Sequence, residues 1–130
     1  MEILCPYCGA KAQLKDSSVI YGKSYGFVWV CANYPKCDSY VGTHKNSKDH
    51  KPLGRMANYE LRELKKQCHR YFDNLWQQPQ KWGYTRSEAY KKMQQVMGMT
   101  EYEAHIAKFN EQECQKFIKA FKNKEFIEQK

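Results

Sequence analysis

Six cysteines punctuate the 130 residues, and four of them fall into two close pairs. Cys5-Pro6-Tyr7-Cys8-Gly9 is a Cys-x2-Cys step, a spacing that lets one tight turn aim two sulfurs at a single ion, with Gly9 free to take the positive φ such a turn needs. Cys31-Ala32-Asn33-Tyr34-Pro35-Lys36-Cys37 is a looser Cys-x5-Cys step, where the Tyr-Pro step bends the chain back and Pro35 fixes φ. Four thiolates arranged in this way suit one tetrahedral zinc ion, so Cys5, Cys8, Cys31 and Cys37 are expected to hold a single structural Zn2+. The competing chemistry is a pair of disulfides. No charged-then-apolar leader precedes Cys5, so nothing in the sequence directs the chain to an oxidising compartment, and a cytoplasmic protein is expected. Cys68 and Cys114 each stand alone in a helical pattern and read as small buried apolar residues outside the metal site.

Aromatic residues are the second chemical signal. Tyr21, Tyr25, Phe27, Trp29, Tyr34 and Tyr40 crowd into twenty residues, interleaved with Lys23 and Lys36. A small zinc-held sheet has too little interior to bury six rings. Exposed rings stack on unpaired bases, each contributing about 1–3 kcal/mol, while lysines follow the phosphates. Tyr25, Phe27, Trp29 and Tyr34 are therefore the candidate stacking residues, and Lys23, Lys36, Lys45, Lys48 and Arg55 the candidate phosphate contacts. The opposing reading is that the rings cover the zinc site and pack internally. Charge favours a polyanionic partner without proving one: 22 basic residues against 14 acidic give a formal +8. The excess is evenly spread, with 8 basic and 4 acidic side chains in residues 1–55 and 14 and 10 in residues 56–130.

These residues need elements to position them, and the chain reads as a small α+β protein with three parts. Residues 1–43 form a zinc ribbon of three short antiparallel strands, expected at 12–14, 19–21 and 27–31, with the turn-prone Lys15-Asp16-Ser17-Ser18 between the first two. Residues 44–57, polar and containing Lys45, Lys48 and Lys51, form a basic linker. Residues 58–130 form a module of about four helices. Asn58 is a plausible N-cap for a helix over 59–77, with Leu61, Leu64, Cys68, Phe72 and Leu75 on one face, ended by Pro79 and Gly83. Thr85 with Glu88, Thr100 with Glu103 and Asn110 with Glu113 are three capping-box signatures and predict three more helices. The first should end at Gly98 and the second near Phe109. Tyr90, Met93, Met97, Ile106, Phe109, Phe117 and Phe121 are the expected shared core. No apolar run approaches the roughly 20 residues needed to span a bilayer, so no membrane role is expected.

Two resemblances rest on these residues. Cys5-Pro6 with Cys8-Gly9, Gly26-Phe27 and Cys31-Ala32-Asn33-Tyr34-Pro35-Lys36-Cys37 resemble the C-terminal zinc ribbons of bacterial type IA DNA topoisomerases. For residues 5–37 this implies binding of single-stranded DNA; the topoisomerase catalytic domain has no counterpart here. Over about residues 5–118 the chain also resembles a family of small phage and prophage zinc-finger-containing domain proteins. That likeness rests on Val41-Gly42-Thr43-His44, Pro52-Leu53-Gly54, Leu61-Arg62, His69, Phe72-Asp73, Leu75-Trp76, Arg86, Ala89-Tyr90, His105-Ile106, Phe109 and Cys114. It implies a ribbon and a helical module as one recurring unit, in a bacterial host cytoplasm, and supplies no reaction.

Two weaker signals remain. Lys116, Lys119 and Lys122 on the last helix could reach phosphate in a helix-turn-helix, although charges at helical spacing usually form a solvated face. His69 and Asp73 stand at i and i+4, and with His44 and His105 nearby could form a second metal or nuclease-like site. More often such a pair orients an imidazole, and no nucleophile, carboxylate set or phosphate-cradling loop accompanies it, so no enzyme is expected. The function that best fits is a zinc-ribbon protein that binds nucleic acid, single-stranded DNA by preference. The alternative is a phage-encoded adaptor or inhibitor whose aromatic residues dock on a host protein.

Overall fold

The computed structural model describes residues 2–45, 47–77 and 83–126, and the chain divides into two compact units, Met1–Arg62 and Glu63–Lys130. Among the described residues no helix is long and apolar enough to cross a membrane.

The first unit is built on a three-stranded antiparallel sheet, β1 (Ala12–Asp16), β2 (Phe27–Cys31) and β3 (Tyr40–Gly42), in the order β1-β2-β3. The register pairs Ala12 with Cys31 and Asp16 with Phe27 on one side of β2, and Val28 with Gly42 and Val30 with Tyr40 on the other. As the central strand, β2 is sheltered on both faces, and Val28, Trp29, Val30 and Cys31 are all buried. Three antiparallel strands are present as expected, but the expected strand at 19–21 is instead a single helical turn, α1 (Ser18–Tyr21). Local hydrogen bonding overrides the β-branched pair there. Asp16 accepts from the Ser18 amide at 2.8 Å and from the Ser24 hydroxyl at 2.8 Å, and Gly22 closes the turn at φ 74°. The third strand comes instead from residues 40–42, where an aromatic and β-branched pair precedes Gly42.

Residues 44–57 return along the sheet. Thr43 bridges Pro52, Tyr40 bridges Ala57, and the Leu53 amide donates to the Gly42 carbonyl at 2.9 Å. Met56 is buried against Cys5 and Cys31. Helix α2 (Tyr59–Gln77) begins in this unit, capped by the Asn58 side chain, which accepts from the Leu61 amide at 3.0 Å. Its first turn is tied to the second cysteine loop by Arg62. The guanidinium donates to the Asp38 carboxylate at 3.1 Å and to the Asp38 and Ala57 carbonyls at 2.9 and 2.6 Å, and lies 4.3 Å over the Tyr40 ring.

In the second unit, the rest of α2 is joined by α3 (Arg86–Met97), a 3-10 turn (Ile106–Lys108) and α4 (Glu111–Lys122). The boxes at Thr85 and Asn110 are both complete, and Gly98 caps α3 in the left-handed region. The Thr100 and Glu103 box also forms, with hydrogen bonds of 3.0 and 3.2 Å, yet no helix follows. A cap organises only a first turn. The stretch between Glu103 and the Asn110 cap is too short to repay nucleation, so it runs through an extended His105 into the 3-10 turn. Met93, Met97, Ile106, Phe109 and Phe117 are buried as expected, together with Cys68, Phe72, Leu75, Cys114 and Phe126. Tyr90 and Phe121 are only half-buried; Phe121 stacks on Tyr71 with ring centres 4.6 Å apart. Pro79 lies outside the described residues.

Candidate functional site

The first cysteine pair sits in a tight knuckle. The Cys5 amide donates to the Ala10 carbonyl at 2.8 Å and the Gly9 amide to the Cys5 carbonyl at 2.9 Å, with Gly9 at φ 77°. The second pair begins at the end of β2 and closes when the Tyr34 amide donates to the Cys31 carbonyl and the Cys37 amide to the Asn33 carbonyl. Register then does the rest: Cys31 pairs with Ala12, which brings it beside the knuckle that precedes β1.

All four Sγ atoms lie within 4.8 Å of one another, with Cys5 and Cys37 3.6 Å apart and Cys8 and Cys31 3.3 Å apart. A tetrahedron with Zn–S bonds of about 2.3 Å has S···S edges of about 3.8 Å, so the set fits a zinc ion with small adjustments. The sulfurs have further support: the Asn33 amide and side-chain Nδ2 approach Cys31 at 3.4 Å and Cys8 at 3.5 Å. Electrostatics split the two pairs. Donation from the Ala10 amide and contact with Cys31 hold Cys8 down at about 6, whereas desolvation pushes Cys31 up to about 12 and Cys37 upward. At Cys5 burial raises the thiol, but the Cys8 and Tyr7 amides outweigh it and the net shift is downward. Four thiolates this close repel one another unless a cation neutralises them. The four cysteines form one structural zinc site. Among the described residues no other group of three or more His, Cys, Asp or Glu side chains is placed to hold a metal.

At the other end of β2 lies an aromatic hollow of about 560 Å3. Tyr25 and Phe27 line it, 73% and 45% exposed, together with Tyr21, His44, Lys45 and His50. The Phe27 ring meets the His50 ring edge-on at 4.8 Å, and the Tyr21 ring meets Tyr25 at 5.8 Å. A shallower basic hollow shares His44 and Lys45 and continues over Ser47, Lys48 and Lys51. The structure thus gathers Tyr25, Phe27, Lys45 and Lys48.

Trp29 does not belong with them. Only 8% exposed, it donates its indole N–H to the His50 carbonyl at 2.7 Å, so its ring is unavailable for stacking. Its inward position follows from the central strand, where Val28, Trp29 and Val30 are all covered. The same bond fixes the loop that carries His50 beside Phe27, a role no spacing pattern signals. Tyr34 and Lys36 lie in the second cysteine loop, and Lys23 and Arg55 are exposed but do not line the hollow. Tyr21 and His50, which do line it, were not candidates because their positions depend on α1 and on the returning loop.

In the second unit, Lys116 is committed to structure: its ammonium donates to the Met97 carbonyl at 3.0 Å, capping the end of α3, while Lys119 and Lys122 remain exposed. Cys68 and Cys114, expected as isolated thiols, are neighbours; contact with Cys114 and burial push the Cys68 thiol up, and its Sγ approaches the Cys114 carbonyl at 3.6 Å. His69, Asp73 and His105 line one cleft of this unit, whereas His44 belongs to the first unit.

A family model described as a zinc-finger-containing domain matches residues 1–124. Comparison with curated proteins and with solved structures gave no match.

Proposed function

The chain belongs to the zinc-finger-containing domain family, and we propose that it is a non-enzymatic nucleic-acid-binding protein that prefers single strands of DNA. The observation that carries this reading is the pairing of two exposed rings, Tyr25 and Phe27, with a basic loop that begins in the same hollow at Lys45 and continues through Lys48 and Lys51. Unpaired bases stack on the rings while the adjoining lysines neutralise phosphates. A duplex keeps its bases stacked on each other, so it can use only the lysines. The zinc site, at the far end of β2, holds the sheet and therefore the hollow in shape, and takes no part in chemistry. The competing reading is a phage-encoded adaptor or inhibitor that docks on a host protein, and the binding experiment separates it from the DNA reading.

The test is a salt titration of zinc-loaded protein against labelled single-stranded and duplex DNA of equal length. Binding to the single strand should be tighter, and its log affinity should fall with log salt at a slope of about −0.7 per phosphate neutralised. Phe27→Ala and Tyr25→Ala should weaken binding without changing that slope, and Lys45→Ala should lower the slope by about one contact. Equal affinity for duplex, or an affinity flat with salt, would overturn the proposal.

A further inference from the structure

The helical unit carries a concave site that the ribbon reading does not use. α2 places His69, Asp73 and Trp76 at four- and three-residue spacing, one face of a helix; α3 places Arg86 and Tyr90 one turn apart; and His105 enters from the extended residue before the 3-10 turn. Together they line a cleft of about 180 Å3. At about 30 Å3 for each water, that is room for a group of several heavy atoms.

Two of these side chains have unspent donors. Arg86 forms no ion pair among the described residues; its guanidinium lies 5.6 Å from the ring centres of both Trp76 and Tyr90, so the rings steer it without satisfying its N–H groups. The Trp76 indole Nε1 is buried and has no acceptor among the described residues. A buried donor left unpaired is destabilising, a cost that a ligand oxygen removes. Neither His69 nor His105 is joined to a carboxylate by an ion pair among the described residues. Partial desolvation of its ring holds His69, an exposed residue at the cleft edge, below its ordinary value against the opposing pull of Asp73, with Lys65 adding to the depression. The cleft adjoins a second hollow of about 340 Å3 that shares Tyr90 and His105 and is lined further by Ser87, Lys91, Gln94 and Glu101.

We propose that this cleft binds a terminal phosphate monoester, with Arg86 as the charged anchor, the Trp76 N–H as a neutral donor, and the group esterified to the phosphate extending past Tyr90 into the adjoining hollow. A tetrahedral anion with three terminal oxygens suits donors that converge from two helices and a turn better than a planar carboxylate does. The phosphate can come from a free mononucleotide or from the 5′ end of a strand. The proposal stands apart from the ribbon surface, since none of its residues lie in that unit.

Asp73 and Glu101 are the carboxylates facing the site and Arg86, Lys91 and Lys65 the fixed cations around it.

The experiment follows the Trp76 indole and the His69 and His105 imidazole signals by NMR in the full zinc-loaded chain. Inorganic phosphate, a nucleoside monophosphate and a 5′-phosphorylated dinucleotide are titrated, with the unphosphorylated dinucleotide as control. All three phosphates should move the signals and the control should not; the tighter of the two esters identifies the source. Arg86→Gln, at an exposed position, should weaken binding by about ten- to a hundred-fold, and Asp73→Asn should tighten it several-fold. Phe27→Ala should leave it unchanged. Equal affinity in Arg86→Gln, an equal response to the unphosphorylated control, or no response to any phosphate at millimolar concentration would each overturn the proposal.

Discussion

Removing zinc should unfold the first unit and leave the second standing. Apart from the zinc ligands Cys5 and Cys31, the buried apolar side chains among the described residues of Met1–Arg62 are Val28, Trp29, Val30, Met56, Ala57 and Leu61. Five larger apolar side chains are a small core for a unit of this size, which cannot bury enough area to stand alone. A structural zinc ion contributes about 10–16 kcal/mol, as much as the whole net stability of a typical domain, so its removal should exceed what the sheet can withstand. The second unit differs because Phe72, Leu75, Met93, Phe109, Phe117 and Phe126 give it a core of its own. The assay is an NMR spectrum before and after a strong chelator, with metal content measured in parallel. Zinc-loaded protein should contain one zinc per chain and show a dispersed Trp29 indole signal, fixed by its bond to the His50 carbonyl. Chelation should collapse that signal and the β2 amides to random-coil positions, while the amides of α3 and α4 stay dispersed. Cys31→Ser should reproduce the collapse. A dispersed Trp29 signal in verified metal-free protein would refute the argument that zinc holds the sheet, and simultaneous loss of the α3 and α4 signals would refute the separate core.

Two further outcomes follow from particular contacts. Arg62→Met keeps the alkyl stem but removes every hydrogen bond to Asp38 and Ala57; it should destabilise the first unit by about 1.5–3 kcal/mol, read as a lower zinc-loaded unfolding midpoint, and an unchanged midpoint would show that water replaces these bonds at no loss. Glu88 accepts from the Thr85 hydroxyl and amide, which holds its carboxyl below the usual 4.5. Its folded pKa is depressed, so the cap's contribution is present above about 4.5 and fades as pH falls through the lower folded value. Carboxyl titration by NMR should place Glu88 below an unstructured reference, and Glu88→Gln should remove the acid-dependent part of α3 fraying; a normal Glu88 midpoint would contradict the capping box.

What could be read directly from the residues was whatever depends on short-range geometry. Cys-x2-Cys, Cys-x5-Cys, the boxes at Thr85 and Asn110, the Asn58 cap and the Gly98 stop all act within a few residues, and each forms. The metal set was legible because ligand chemistry leaves little choice of residue type. The Thr100 box shows the limit of that reading: the local signal is real, but whether a helix grows from it depends on the room left before the next cap. The turn at Ser18–Tyr21 shows the same competition, in which hydrogen bonds accepted by the Asp16 carboxylate outrank β propensity.

Long-range placement decided the rest. Trp29 and Phe27 are both aromatic and two residues apart, yet one is buried under the His50 carbonyl and the other is 45% exposed, because only the sheet register and the returning loop determine which part of β2 is covered. His50 reaches Phe27, Cys68 reaches Cys114, and His69 shares a cleft with His105 through chain separations that no pattern of spacing encodes. Periodicity identifies the face a residue occupies on its own element, but which surfaces meet is settled by packing, where the burial of apolar area is summed over the whole unit.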